Sequence, residues 1–283
     1  MTKQYIAACK DVLENGVMIP NLRTGVGCLT IPHLDMEYNV GAGEYPMVTT
    51  RKAPFKLAIA ELLGYIRGTN NAADFEALGT KSWYSNANKN EAWLNNPNRK
   101  GENDCGRIYG VQGRDWIKPQ GGTVDQLRKI YTNLKAGYDD RGEILNFWNP
   151  GEHELGCLRP CLFMHIFTLV DGLLTLHSTQ RSNDLALGNV ANMQQCYLLL
   201  ALMAQITGNE AGIAYHRTTN AHIYENQIEL MKTQVKREPR PAPKLWINPK
   251  IRTLEDLETW VTTDDFKLIS YVSDEPIDYP FAV

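Results

Sequence analysis

The stretch Cys161-Leu-Phe-Met-His-Ile-Phe-Thr-Leu-Val170-Asp171-Gly172-Leu-Leu-Thr-Leu-His-Ser-Thr-Gln180-Arg181-Ser182-Asn183-Asp184 decides the fold. Residues 161–170 and 173–181 are two apolar segments, and Asp171-Gly172 between them is a strong signal for a tight hairpin turn. Two long strands so joined demand a sheet. The segment also carries chemistry at both ends. Arg159-Pro160 leads into a thiol at the mouth of the first strand, and the second strand runs into the polar cluster 180–184. A cysteine facing an Arg-Ser step suggests a nucleophile beside an anion site.

Working outward, Ile144-Leu-Asn-Phe-Trp148 reads as another strand, and residues 192–207 as a helix closed by Gly208-Asn209. Residues 2–16 repeat apolar side chains at helical spacing (Tyr5, Ile6, Ala8, Cys9, Val12, Leu13) and stop at Gly16. Residues 17–50 alternate in the manner of strands, broken by glycines. A helix is expected from Pro54, suited to a first turn, to Gly68, and another over 124–137. Residues 85–105, rich in Asn, Asp, Lys and Gly, read as a polar loop excursion. Prolines hold 236–244 extended. These elements predict an α+β fold over residues 1–283: a single domain with a large mixed β-sheet flanked by helices.

The chain has 283 residues, 43% hydrophobic and 22% charged, with a formal net charge of -3. That balance is ordinary for a globular protein and gives no electrostatic argument for a nucleic-acid or membrane partner. No apolar run approaches the roughly 20 residues of a membrane span, and the N-terminus lacks the apolar core of a signal peptide. Six cysteines do not form a disulfide framework at this length. Cys157 and Cys161 lack partners at zinc-ligand spacing, so no metal is expected. A reducing, cytoplasmic location fits.

Glu61 lies between Leu57 and Tyr65 on the apolar face of its helix. It reads either as a desolvated carboxylate of raised pKa, able to shuttle protons, or as a glutamate satisfied by a buried arginine. Arg23 precedes the glycine loop Thr24-Gly-Val-Gly27 and could meet an anion. His222 and Tyr224 would project the same way from a strand. A Cys-His hydrolase is disfavoured: Cys161 and His165 share one strand, where four residues span about 13 Å.

In one order along nearly the whole chain stand Arg23-Thr-Gly-Val-Gly, Pro46-Met-Val-Thr-Thr50, Glu61-Leu-Leu, Tyr109-Gly, Trp148-Asn-Pro150, Pro160-Cys161, Gln180-Arg-Ser182, Asp184, Gly188, Asn192, His222-Ile-Tyr224 and Arg237-Glu-Pro-Arg-Pro. This set resembles the thymidylate synthase superfamily, which includes the pyrimidine nucleotide hydroxymethylases. The resemblance implies a thymidylate synthase-like fold that dimerises through its sheet, and 5,10-methylenetetrahydrofolate as co-substrate. It implies catalytic Cys161, Glu61, Tyr109 and Asp184, with the Cys161 thiolate adding to C6 of the pyrimidine. It implies Arg23, Gln180, Arg181, Ser182, Asn192, His222 and Tyr224 on the nucleotide, with Arg141 reaching the phosphate of the partner subunit. Trp83, Asp184, Gly188 and Val283 of the C-terminal tail would face the folate.

The departures from the synthase pattern bear on the product. Leu162 replaces the usual His after the cysteine. Gly142 follows Arg141 where a second Arg is usual. Asn189-Val-Ala191 stands for Leu-Pro-Phe, and Asn86 for a second indole. A smaller, more polar folate side would admit water to the methylene intermediate, so the expected product is a hydroxymethylated nucleotide, with thymidylate synthesis as the alternative. Asn192 leans towards dUMP over dCMP.

Overall fold

In a computed structural model, which describes residues 2–21 and 25–281, the segment 161–184 forms the long hairpin. Its strands, Leu162–Val170 and Leu173–Gln180, pair antiparallel from Val170↔Leu173 to Leu162↔Gln180. Asp171 (φ 50°) and Gly172 (φ 77°) both take the left-handed conformation. Such a two-residue turn matches the twist of the strands it joins. A β-bulge interrupts the pairing between Leu162 and Met164, just inside the strand mouth that carries Cys161.

Around the hairpin a five-stranded sheet assembles in the order Leu34–Asn39, Glu210–Thr218, Leu173–Gln180, Leu162–Val170, Ile144–Asn146. Glu210–Thr218 runs parallel to Leu173–Gln180 and every other pair is antiparallel, so the sheet is mixed as predicted. The parallel step is made by the helix Gly188–Thr207, which crosses back over the sheet before Gly208 (φ 80°) ends it. This helix is buried on nearly all sides, from Val190 to Ile206. It starts four residues before the predicted Asn192. Its first turn, Gly-Asn-Val-Ala, carries too little apolar periodicity to be read as helix.

A second sheet orders Val17–Ile19, Cys28–Ile31, Ala221–Tyr224 and Asn183–Asp184. It sets His222 opposite Asp184. The opening helix is Thr2–Asn15, as predicted. Residues 85–105 differ from a simple loop. Two short helices, Tyr84–Asn88 and Glu91–Leu94, lie there. Trp93 is buried beneath them with its Nε1 donating to the Asp104 carbonyl at 2.7 Å. The asparagines serve internal contacts: Asn88 Nδ2 donates to Asn103 Oδ1 at 2.8 Å.

The helix Lys56–Ile66 presents Glu61 to the site and packs on Ala72–Leu78. The approach is possible because residue 64 is glycine: a Cβ there would lie 2.2 Å from Phe75 Cε1, and the Phe75 ring is fully buried. Gly64→Ala is therefore expected to destabilise the chain by about 1–3 kcal/mol, the usual cost of overpacking a tight core. Urea denaturation of the variant checks this, and an unchanged midpoint would contradict the contact.

Candidate active site

Strand pairing determines the first contact. Because Leu162 pairs with Gln180, Arg181 N donates to the Cys161 carbonyl at 2.9 Å. The Arg181 guanidinium then folds over the thiol: Nε donates to Pro160 O at 2.9 Å, and one Nη2 lies 3.1 Å from Arg159 O and 3.5 Å from Cys161 Sγ. Its cation also sits 5.5 Å from the centre of the Trp148 ring. A fixed positive charge beside the sulfur is placed to balance a thiolate, the nucleophilic form. Cys161 is the one cysteine of six that is not buried, and all six are free. Its backbone N–H donates to the Tyr109 hydroxyl at 2.7 Å, and the Tyr109 ring stacks on Tyr65 at 4.8 Å.

Glu61 is 9% exposed. Burial pushes its carboxyl above the usual range. Of the two readings open in the sequence, the arginine-paired one finds no arginine among the described residues: the hydrogen-bond partners of Glu61 are neutral donors, Ser82 Oγ to Oε1 and Gln195 Nε2 to Oε2, both at 2.7 Å. Gln195 joins it to Asn192, whose Nδ2 donates to Gln195 Oε1 at 3.1 Å. Gln180 Nε2 in turn donates to Asn192 Oδ1 at 2.9 Å. The side chains of Glu61, Asn192 and Gln180 thus form one network near Cys161, Arg181 and Tyr109.

Asp184 and Gly188 adjoin Asn192 at the start of the long helix. Asp184 Oδ1 accepts from Ala186 N (2.9 Å) and Leu187 N (3.4 Å). Even so, desolvation pushes its carboxyl from 3.8 up to about 6. Gln227 Nε2 reaches both Asp184 Oδ2 (3.4 Å) and the Pro280 carbonyl (3.0 Å), so one amide ties the C-terminal tail to this carboxylate. His222 and Tyr224 share a face, with ring centroids 5.1 Å apart. His222 Nδ1 lies 2.8 Å from Asn220 Oδ1. Trp83 is buried against Tyr65, Phe75 and Tyr109, behind Glu61. Ser182 gives its carbonyl to Gln180 Nε2 at 2.9 Å.

Arg141 is not brought to this cluster within the chain. It sits exposed in the turn before Ile144–Asn146, with φ 65°, its N–H donating to Asp139 Oδ1 at 2.6 Å. Asp139, Asp140 and Glu143 converge there, but Lys129 Nζ lies 2.9 Å from both Asp140 and Glu143 and fills the role a cation would take. Arg23 and Val283 lie outside the described residues. Sequence reading missed Gln195 and Ser82. Gln195 could have been found from its position three residues beyond Asn192, on the same helical face.

Comparison with known proteins completes the assignment. The family model described as thymidylate synthase matches residues 3–283. The chain belongs to the thymidylate synthase family. It is 60% identical over 282 residues to the thymidylate synthase of Vibrio cholerae serotype O1, covering 99% of this chain and 100% of that protein. It is 61% identical to that of Haemophilus influenzae and 58% to that of Idiomarina loihiensis, with the same coverage. Thymidylate synthases are one-carbon transferases that bind dUMP and use methylenetetrahydrofolate as co-substrate.

These relatives overturn the expectation of hydroxymethylation. Of the departures that carry that expectation, three residues are packed away in the structure, while Asn86 and Ala191 stay partly exposed. Leu162 is 4% exposed, Val190 is 1% exposed, and Asn189 is fully buried with its Oδ1 accepting from Asn183 Nδ2 at 2.8 Å. Leu162 lines, with Leu62, Tyr65, Tyr109 and Phe147, a small apolar cavity of about 20 Å³ beneath the site. Residue type alone did not show which way these side chains face.

The raised carboxyl of Asp184 has a consequence for stability. Its folded-state value lies above 3.8, so its stabilising contribution is greatest at low pH and is lost as pH rises through about 6. Asp184→Asn should be more stable than the parent by about 1–2 kcal/mol at pH 7.5, with the gap closing towards pH 4. Urea unfolding at both pH values measures it. A variant less stable at pH 7.5 would show that the carboxylate is satisfied in place.

Proposed function

We propose that this chain is a thymidylate synthase that converts dUMP to dTMP by reductive methylation. The observation that carries the reading is Cys161 under the Arg181 guanidinium and bonded to Tyr109, with the Glu61 network nearby, in a chain matched over 99% of its length by synthases. Cys161 adds through sulfur to C6 of the pyrimidine. Arg181 and Ser182, with Arg23, hold the phosphate. Asn192 reads the N3–O4 edge, as Asn carries one donor and one acceptor. His222 and Tyr224 hold the ribose hydroxyl.

The donor set suits a reduced folate. Asp184 is a partly buried carboxylate of raised pKa, able to accept from pterin N–H groups, and Gly188 lies beside it at a helix start. Methylenetetrahydrofolate supplies the one-carbon unit and the hydride. Glu61, its carboxyl raised by burial, moves protons at the pyrimidine edge. The tail, anchored through Pro280 and Gln227, excludes water from the site.

A homodimer is supported by an uncovered sheet face. Along Leu173–Gln180 the residues Leu174, Leu176, Ser178 and Gln180 are buried while Thr175, His177 and Thr179 are not. On the neighbouring strand Ile213 and Tyr215 are likewise only partly covered, and His177 stacks on Tyr215 at 4.7 Å. A second copy on this face would bring Arg141 to the other subunit's phosphate. The substrates fit a cytoplasmic location.

The experiment is incubation with dUMP and methylenetetrahydrofolate, followed by nucleotide mass and dihydrofolate absorbance. The expected result is dTMP and dihydrofolate formed one for one. No nucleotide product, or product without dihydrofolate, would overturn the reading.

A further inference from the structure

We infer that Gln195 is a specificity-determining and positioning residue: it locks the Asn192 amide in the orientation that reads uracil and couples that amide to Glu61. This rests on the dUMP reading above. Hydrogen-bond polarity fixes the orientation of each amide. At one end of the chain of amides stands the Ser182 carbonyl, which can only accept. Gln180 therefore points Nε2 towards it, at 2.9 Å. The same Nε2 faces Asn192 at 2.9 Å, so the atom it meets there must be Oδ1. Asn192 Nδ2 then faces Gln195 at 3.1 Å and must meet Oε1. That leaves Gln195 Nε2 to donate to Glu61 Oε2 at 2.7 Å, and a carboxylate is again an acceptor. Both ends impose the same direction.

A second branch agrees. Gln180 Oε1 lies 2.8 Å from His216 Nε2, and His216 Nδ1 lies 3.0 Å from the Tyr38 hydroxyl. Burial pulls His216 down to about 4, so the ring is neutral with one N–H. Nε2–H donates to Gln180, and Nδ1 accepts from Tyr38.

Asn192 is thus left with one Nδ2 hydrogen and one Oδ1 lone pair for the base. Those match O4 and N3–H of uracil. Cytosine presents N3 as acceptor and an exocyclic amine as donor, and needs the amide reversed. Reversal would set Asn192 Nδ2 against Gln180 Nε2 and Oδ1 against Gln195 Oε1. Relief would require Gln195 to turn as well, placing its oxygen against the Glu61 carboxylate. The Gln195 side chain is 3% exposed at residue level, so water does not stand in for it.

The test compares Kd for dUMP and dCMP, by calorimetry, in the parent and in Gln195→Met, Gln195→Ala and Gln195→Glu. Met has nearly the length of Gln without its hydrogen bonds, and Ala serves if Met does not fold. The ratio of the two Kd values should fall by about tenfold or more in both, the scale of one or two lost buried hydrogen bonds. Gln195→Glu keeps an acceptor towards Asn192 and, sharing one proton with the adjacent Glu61 carboxyl as close carboxyl pairs do, keeps a donor towards it, so the ratio should stay near the parent's. In Gln195→Met the acid limb of kcat/KM for dUMP should move to higher pH, because the Glu61 carboxylate loses a donor. A folded Met or Ala variant with the parent ratio, or a Glu variant that loses it, would overturn the inference alone. A parent chain that does not prefer dUMP would overturn the dUMP reading and this inference together.

Discussion

The pairing of Leu162 with Gln180 is the constraint on which the site depends. It closes the mouth of the hairpin so that Arg181 N bonds the Cys161 carbonyl, and the guanidinium lies back over the sulfur. The same strand end delivers Gln180 to the helix Gly188–Thr207 and, four residues on, passes Asp184 into the second sheet beside His222. A slip of one residue in this pairing would turn each side chain to the opposite face of the sheet. The Asp171-Gly172 turn at the far end fixes the register against that slip.

The site also carries polar groups that burial leaves poorly compensated. Glu61 is a buried carboxylate held by neutral donors, and Asp184 is a desolvated one. Arg51 Nε and Trp83 Nε1 are buried without a hydrogen-bond partner among the described residues. Each arrangement opposes folding, since a buried polar group without full compensation costs on the order of 1–3 kcal/mol. Glu61 and Asp184 both lie at the candidate site, and the apolar core offsets their cost.

Much of this was legible in the sequence for identifiable reasons. The hairpin announced itself through two apolar runs and an Asp-Gly that tolerates positive φ. Cys161 and Arg181 could be placed together because strand pairing follows from the turn. Glu61 was visible as a carboxylate at an apolar helical position, but its partners were not, since Ser82 and Gln195 come from distant segments. The helix start at Gly188 and the strand Glu210–Thr218 escaped because their local patterns are weak and tertiary contact decides them. The expected product rested on Asn86, Leu162 and Asn189-Val190-Ala191, and the synthase relatives overturn it. Leu162, Asn189 and Val190 point into the core, and a composition change alone does not say which face it occupies.

In the proposed mechanism Cys161 forms the bond that activates C5 of the pyrimidine. Release of tritium from dUMP labelled at C5, with methylenetetrahydrofolate present, measures that activation directly. In the parent chain release should keep pace with dTMP formation, and in Cys161→Ala it should vanish while dUMP still binds. Release that persists in a folded Cys161→Ala would contradict the account.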